Sequence, residues 1–100
     1  MILVLAQASA LPEHRDDLAE QLTKASVISR NDPGCLAYSF QSDLEDANSF
    51  TSIEHWESRE DLDAHLATPH VAELIASLTG KVTGPPVITA YEVSSSNVLG

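Results

Sequence analysis

The sequence predicts an α+β domain in the order β-α-β-β-α-β, with an antiparallel sheet that carries its helices on one face. Three observations predict this fold. Residues 2–6 are a continuous apolar run typical of a strand covered on both faces. Two alternating segments in the middle of the chain lie between segments with apolar residues at helical spacing. Residues 87–93 then return the chain to the sheet as a last strand.

Composition restricts the classes of partner. The 100 residues are 43% hydrophobic and carry a formal charge of −10, so we expect one domain over residues 1–100 with a polar C-terminal tail at 94–100. An acidic surface repels phosphate backbones and anionic headgroups, and we expect neither nucleic acid nor a membrane as partner. The first apolar run is much shorter than the about 20 residues of a membrane span, and the single Cys35 cannot form an internal disulfide. These features favour a cytoplasmic location.

The first helix is predicted from Pro12, which suits a first-turn position. An apolar stripe follows at helical spacing and consists of Leu18, Leu22, Ala25 and Ile28. Residues 31–34, Asn-Asp-Pro-Gly, end the helix, because Gly34 adopts turn conformations that residues with a Cβ resist.

The two middle strands are predicted over residues 35–42 and about 50–57, joined by a polar hairpin connection. In the first of them, Leu36, Tyr38 and Phe40 share one face. The second has two chemically different faces. One face carries Phe50, Ser52, Glu54 and Trp56, and the other carries Thr51, Ile53 and His55.

Two short helices are predicted after these strands. Ser58 with Asp61 three residues later is close to a capping box and begins a helix that carries His65. Thr68–Pro69 restarts the chain as another helix, with the threonine as N-cap and the proline at the first helical position. Its apolar stripe consists of Val71, Leu74, Ile75 and Leu78.

The second face of the predicted sheet has no helix to cover it. Residues such as Ile53 then form an apolar patch that a monomer rarely tolerates. Two copies packed sheet to sheet would cover the patch, and we expect a homodimer.

The candidate functional residues are concentrated in one stretch. Glu54 and Trp56 share a strand face, and His65 and His70 follow on the next two helices. A buried carboxylate or indole needs a hydrogen-bond partner, so this concentration predicts a pocket. Other interpretations stay open. Glu54 could be solvated at a sheet edge or paired with Arg59, His65 could stabilise a helix end as a cation, and His70 could accept a proton or cap a neighbouring group.

A metal or cofactor is not expected. Glu54, His65 and His70 could form a facial triad for iron, but the H-x4-H spacing crosses the helix break at Pro69 and does not put two imidazoles on one helical face. Cys35 lies in an apolar strand, where a thiol is more often inert than nucleophilic. The sequence contains no nucleotide-binding or pyridoxal-phosphate motif.

Three motifs occur together in a fixed order. Residues 33–38 read PGCLAY, Glu54 and Trp56 form E-x-W, and His65 and His70 form H-x4-H. In this order they resemble the antibiotic biosynthesis monooxygenase family, which comprises small cofactor-free oxygenases and sister isomerases, and the resemblance covers nearly the whole chain. It implies a ferredoxin-like fold paired into a dimeric α+β barrel. It also implies an activity similar to quinol monooxygenases, in which a hydroquinone or anthrone is oxidised by O2 alone.

The resemblance also implies roles for individual residues. Trp56 looks like the aromatic wall of the pocket, His65 like the proton-transfer residue, and Glu54 like a partner that orients or polarises. Contacts to a small aromatic substrate are expected from Phe50, Ser52, Tyr38, Leu62, His70 and Ile75. Quinone-forming relatives often have Asn where Ser52 stands and Tyr near Leu62, and haem-degrading relatives have a histidine within the last helix that residues 71–78 lack.

Two other functions fit the same residues. Sister proteins of this fold isomerise small phosphorylated hydroxyketones with general acid and base groups in the same cavity, and such a substrate needs a basic anchor. The other alternative is a non-catalytic dimer that binds a ligand in the pocket without a functioning base.

Overall fold

The computed structural model describes residues 1–100 and contains four strands and three α-helices. A short 3-10 turn at Pro12–His14 precedes the first helix. The elements are β1 (Ile2–Ser9), α1 (Arg15–Ser29), β2 (Cys35–Ser42), β3 (Ser49–Trp56), α2 (Arg59–Leu66), α3 (Pro69–Leu78) and β4 (Val87–Glu92). The predicted α+β fold with a ferredoxin-like order of elements is therefore confirmed. None of the helices is long and apolar enough to cross a membrane.

The four strands form one antiparallel sheet in the order β2-β3-β1-β4. β1 and β3 therefore lie at the centre of the sheet. Their register pairs Val4 with Glu54 and Ala6 with Ser52. Since side chains at paired positions point to the same face, the candidate residues of β3 project beside small and β-branched residues of β1.

The helices pack against one face of the sheet and enclose two apolar clusters. The first cluster contains Ile2, Val4, Tyr38, Trp56 and Leu62. The second contains Ala10, Leu18, Leu22, Phe50 and Leu78. The half-buried Phe40 contacts both clusters, so the core is continuous between them.

Helix α1 buries a different stripe from the predicted one. Leu18 and Leu22 are buried as expected, but Ser26 and Ser29 continue the buried face while Ile28 is exposed. The hydroxyl of Ser26 donates to the carbonyl oxygen of Leu22 at 2.9 Å, so the helix satisfies this buried polar group itself. A small hydroxyl residue can therefore occupy a buried position of a helix that the predicted apolar stripe did not include.

The prediction that Leu36 shares a face with Tyr38 and Phe40 is wrong. A β-bulge interrupts the pairing of β2 with β3, so that Cys35 lies opposite Trp56 and Ala37 lies opposite His55. The additional residue in the bulge reverses the alternation of faces on its N-terminal side. Leu36 is consequently 55% exposed, whereas Tyr38 is buried.

Both predicted helix caps are confirmed. The backbone N–H of Asp61 donates to Ser58 Oγ at 3.1 Å, and Ser58 Oγ donates to the Asp61 carboxylate at 2.9 Å. At the start of α3, the backbone N–H of Val71 donates to Thr68 Oγ1 at 3.4 Å. Ser58 therefore begins α2 and Thr68 begins α3, and this places His65 and His70 on separate, adjacent helices.

Candidate active site

The helix-facing side of β3 supplies the first residues of the site. Phe50, Ser52, Glu54 and Trp56 are all buried, as the predicted alternation requires. Glu54 Oε2 accepts a hydrogen bond from Ser52 Oγ at 2.6 Å, and Glu54 Oε1 accepts one from Trp56 Nε1 at 3.0 Å. The proposal of a solvated Glu54, or one paired with Arg59, is therefore wrong. Arg59 instead pairs with Asp63 at 2.9 Å on the surface of α2.

His65 lies in the last turn of α2 and is packed over this row of β3. Its ring stacks on that of Trp56 with a centroid distance of 4.5 Å and meets Tyr38 edge-on at 5.6 Å. Its side chain is only 3% exposed. Nδ1 of the imidazole lies 2.7 Å from Asp32 Oδ2. The partner of His65 is thus a side-chain carboxylate from another part of the chain.

Asp32 connects the two histidines and was missed by sequence reasoning. His70 Nε2 lies 2.9 Å from the same Oδ2 atom that His65 Nδ1 contacts. Asp32 is 33 residues away from His65 and 38 residues away from His70 along the chain. It lies in a turn whose residues are already accounted for as the end of a helix. Its position directly before Pro33-Gly34 was the only available signal.

The hydrogen positions follow from the chemistry of the acceptor. An ionised carboxylate oxygen only accepts hydrogen bonds, so His65 Nδ1 and His70 Nε2 must each carry a hydrogen. In a neutral ring, Nε2 of His65 is then the free base. This atom has no hydrogen-bond partner. Because every fully buried side-chain nitrogen or oxygen does have a partner, Nε2 of His65 is not fully buried. His65 also lines an apolar cavity between the sheet and α3, which we call the main cavity.

The turn that carries Asp32 is fixed against the start of α2. Gly34 has a φ of 78°, and a Cβ at this position would collide with the side chain of Asp61. The carbonyl oxygen of Gly34 accepts a hydrogen bond from the backbone N–H of Glu57 at 2.9 Å, and the N–H of Asp32 donates to Ser29 at 3.0 Å. The glycine thus allows the close approach that brings Asp32 to His65.

The donor set of Asp32, His65 and His70 is one that metal ions also use, and their ligand atoms all lie within 4.8 Å of one another. The facial triad suggested by the sequence had the wrong carboxylate, since Glu54 is bound to Ser52 and Trp56. Bonds of about 2.0–2.2 Å to one ion would hold ligand atoms about 3 Å or more apart. The observed distances of 2.7 and 2.9 Å, both to one oxygen atom, are those of charge-assisted hydrogen bonds.

Two other ionisable side chains lie close to the site. Burial raises the pKa of the Tyr38 phenol far above its usual value, and the nearby Glu54 carboxylate raises it further. Burial likewise raises the pKa of the Cys35 thiol, with a further contribution from Glu54. Both groups therefore remain protonated at neutral pH, and neither is an available base.

The main cavity is partly open to solvent and has a volume of about 70 Å³. Its walls are almost entirely apolar. The polar residues among its walls are Gln7, Tyr38, Glu54 and His65, and no lysine or arginine contributes. The wall residues from the helices are Leu22, His65, Leu66, Val71, Leu74, Ile75 and Leu78.

Four of the residues predicted for the site line this cavity, namely Glu54, His65, Tyr38 and Ile75. The other five lie outside its wall. Trp56 lies behind His65, and Ser52 lies behind Glu54. Leu62 and Phe50 belong to the two core clusters, and His70 lines a separate surface groove. Sequence reasoning missed Val4, Leu74 and Ile88, which do line the cavity, because strand and helix periodicity does not reveal which apolar residues border an empty space.

Comparison with known proteins identifies the family. The model of the antibiotic biosynthesis monooxygenase family matches residues 1–77. The chain belongs to this family. It is 33% identical over 94 residues to the probable quinol monooxygenase YgiN of Escherichia coli strain K12, covering 82% of this chain and 88% of YgiN. It is 29% identical over 98 residues to the uncharacterized protein sll1783 of Synechocystis, covering 98% of this chain and 67% of that protein.

Solved structures agree with this assignment to the antibiotic biosynthesis monooxygenase family. A crystal structure from Deinococcus radiodurans, of a candidate antibiotic biosynthesis monooxygenase, superimposes with a TM-score of 0.94 at 33% identity and full coverage of both chains. A second crystal structure of an antibiotic biosynthesis monooxygenase has a TM-score of 0.87 at 28% identity, with 95% of this chain and all of that chain covered. The fold and the family membership therefore rest on independent comparisons of sequence and of structure.

Proposed function

We propose that the protein is a cofactor-independent monooxygenase that oxidises a small neutral hydroquinone or anthrone with O2. The observation that supports this most strongly is the Nε2 atom of His65, which has no hydrogen-bond partner and belongs to a histidine that lines an apolar cavity. Membership of the monooxygenase family supports the same reaction class.

The chemistry requires little beyond this base. A hydroxyl group of a hydroquinone, or the acidic CH2 group of an anthrone, gives its proton to His65 Nε2, and the resulting anion is electron-rich enough to reduce O2 directly. One oxygen atom enters the product and the other leaves as water. An apolar cavity keeps bulk water away from the anion and strengthens its interactions with fixed polar groups. The protein thus supplies a base, orientation and a dry site.

Glu54 has a different role in this proposal. Both of its oxygens already accept hydrogen bonds, from Ser52 and from Trp56, so the carboxylate is fixed in position at the cavity wall. Each oxygen retains a further lone pair that can accept a hydrogen bond from a second hydroxyl of the substrate. We propose that Glu54 orients a dihydroxy-aromatic ring relative to His65.

Cavity size and charge restrict the substrate. The cavity volume of about 70 Å³ is smaller than the roughly 150 Å³ of a cavity that accommodates benzene. One edge of a ring can therefore reach His65 while the remainder extends past Ile75 and Ile88, which are half exposed at the mouth. A phosphorylated hydroxyketone has no basic anchor in this cavity, because no lysine or arginine lines it.

We further propose that two copies of this chain form a dimer through the sheet. All six residues of β4 are exposed in the single chain, including Val87 at 62% and Tyr91 at 48%. Tyr91 and Leu5 share the uncovered face with Ile53, to which Leu5 is paired in the register of β1 and β3. Contiguous apolar residues on one face require a cover in water, and a second copy supplies one of matching chemistry.

An oxygen electrode tests the proposed reaction. Protein dialysed against EDTA should consume O2 with at least one compound in a panel of monocyclic hydroquinones and anthrones. Absence of uptake with every compound contradicts the proposal, as does activity that EDTA abolishes and iron restores. A higher melting temperature with phosphosugars and no O2 uptake would favour the isomerase. Stabilisation by a hydroquinone without any uptake would favour a non-catalytic binding protein.

A further inference from the structure

We propose that Asp32 is a positioning residue that fixes the tautomer and orientation of His65, and that His70 acts by holding Asp32 in place. The inference rests on the proposed function for its kinetic consequences, but the tautomer of His65 can be measured independently of any activity. It assigns to His70 a role that involves neither contact with the substrate nor proton transfer.

The geometry of three atoms carries the proposal. Oδ2 of Asp32 lies 2.7 Å from His65 Nδ1 and 2.9 Å from His70 Nε2. The side chains are 3% exposed for His65, 14% for Asp32 and 22% for His70. Water therefore has little access to the shared oxygen, and the two imidazole N–H groups are its main hydrogen-bond donors.

The hydrogen bond from His65 to Asp32 determines which nitrogen of His65 is basic. With the hydrogen held on Nδ1 by the carboxylate, the lone pair must lie on Nε2 of this histidine, whose side chain lines the cavity. When Nε2 takes up the substrate proton, the ring becomes a cation, and the adjacent carboxylate stabilises that cation. Asp32 keeps its negative charge throughout, so the proton remains on His65 until the anion has reacted and water or product accepts it.

His70 is placed to restrain the carboxylate rather than the substrate. It lines a groove between α1 and α3 together with Lys24 and Glu73, and it does not line the main cavity. Its Nε2–H reaches Asp32 Oδ2 and lies 3.3 Å from Thr68 Oγ1. Thr68 Oγ1 donates its own hydrogen to the carbonyl oxygen of His65 at 2.7 Å. The N-cap of α3 therefore ties His70 to the same turn that presents His65.

Asp32→Asn is the most direct variant, because it keeps the shape of the side chain and removes its charge. We expect kcat to fall by about 10²–10⁴-fold with a KM within about threefold of the original, since the tautomer is released and the imidazolium loses its counter-charge. The matched control is Asp63→Asn, an exposed carboxylate on α2 that contacts neither histidine. A kcat for Asp32→Asn that equals the control overturns the proposal.

Two substitutions of His70 distinguish a role in holding Asp32 in place from a role in proton transfer. The amide of glutamine can donate to Asp32 from nearly the position of imidazole Nε2 but cannot act as a base. We expect His70→Gln to retain at least ten times the kcat of His70→Ala. Equal losses in the two variants would make His70 a proton-transfer group and overturn its assigned role.

Nitrogen NMR of protein labelled with ¹⁵N-histidine tests the claim without a substrate. We expect His65 to carry its hydrogen on Nδ1 in the original protein, and to populate the Nε2–H tautomer substantially in Asp32→Asn. An unchanged tautomer in the variant overturns the proposal even if catalysis is established. If no substrate is ever oxidised, a tautomer change on Asp32→Asn still supports the positioning role while the proposed function fails.

Discussion

The two faces of β3 differ in both chemistry and surroundings. The helix-facing residues Phe50, Ser52, Glu54 and Trp56 are all buried, and they form or support the candidate site. On the opposite face, Ile53 is exposed while Thr51 and His55 are half-buried, and no element of the chain covers them. A single strand therefore contributes to two different surfaces, one around the cavity and one available to a partner.

The comparison shows how much depends on register. Successive residues of a strand point to opposite faces, so a shift of one residue would exchange the cavity face with the outer face. The pairing with β1 prevents this shift, because the backbone N–H of Ala6 donates to Ser52 Oγ at 3.1 Å. Ser52 in turn donates to Glu54, so the same side chain fixes the register and orients the carboxylate.

The largest expected effect is on the cavity face. Trp56 is fully buried, stacks on His65 and donates to Glu54. We expect Trp56→Ala to lower the free energy of unfolding by about 3–5 kcal/mol, through lost packing and an unpaired carboxylate oxygen. Urea denaturation followed by circular dichroism measures the change. Leu44→Ala, at a fully exposed apolar residue, is the control and should change stability by less than about 0.5 kcal/mol. A similar loss in both variants would refute the asymmetry between buried and exposed positions.

The outer face should control assembly instead. We expect Ile53→Asp to weaken dimerisation at least about 100-fold, equivalent to about 2.7 kcal/mol, because it would bury a charge between two sheets. Light scattering at micromolar concentration should then report one chain mass for the variant, and two chain masses are expected for the original protein. Ile53→Val should remain dimeric. An original protein that is already monomeric and folded would show that the outer face needs no partner.

The turn that brings Asp32 to the site should be sensitive to a single methyl group. Gly34→Ala forces an L-residue into a positive φ and collides with Asp61, and we expect it to cost about 1–3 kcal/mol of unfolding free energy. Gly84→Ala is the matched control, since a Cβ added there would meet no atom within 4 Å and the φ of Gly84 is not positive. It should be neutral or slightly stabilising. Equal effects at the two glycines would mean that the close approach at Gly34 is not required.

The smallest expected effect concerns pH. Burial raises the pKa of Tyr38 in the folded protein above that of the unfolded chain. Its contribution to stability is therefore complete below about pH 10 and is lost as the pH rises further, by up to about 1.4 kcal/mol per pH unit. Comparing urea denaturation at about pH 9 and pH 11 for the original protein and Tyr38→Phe isolates this term. The variant should lose less stability over this interval, and identical losses would contradict the assignment.

The sequence predicted those features that depend on local periodicity. The alternation of β3 and the caps at Ser58 and Thr68 follow from the residues themselves and their neighbours, and the structure confirms them. Leu36 was misplaced because a bulge depends on the partner strand as well as on the strand that contains it. The buried Ser26 was not predicted because its hydroxyl is satisfied within its own helix, and hydropathy does not register that compensation.

The candidate site was predicted only in part, because some of its contacts form between segments that are distant along the chain. Glu54 and His65 could be selected because their residue types are costly to bury. Asp32 could not be, since an aspartate in an Asn-Asp-Pro-Gly turn has a sufficient local explanation. Its contacts with His65 and His70 arise from tertiary packing of the turn against α2 and α3, which no pattern along the chain records.

The central claim is that His65 accepts a proton from the substrate at the cavity wall. The most direct test is the O2 consumption rate of His65→Ala with a substrate that the original protein oxidises, beside His55→Ala on the outer face of β3. We predict that His65→Ala lowers kcat by about 10²–10⁴-fold and that His55→Ala retains the original rate. A kcat for His65→Ala equal to that of the original protein, with folding verified by circular dichroism, would contradict the account.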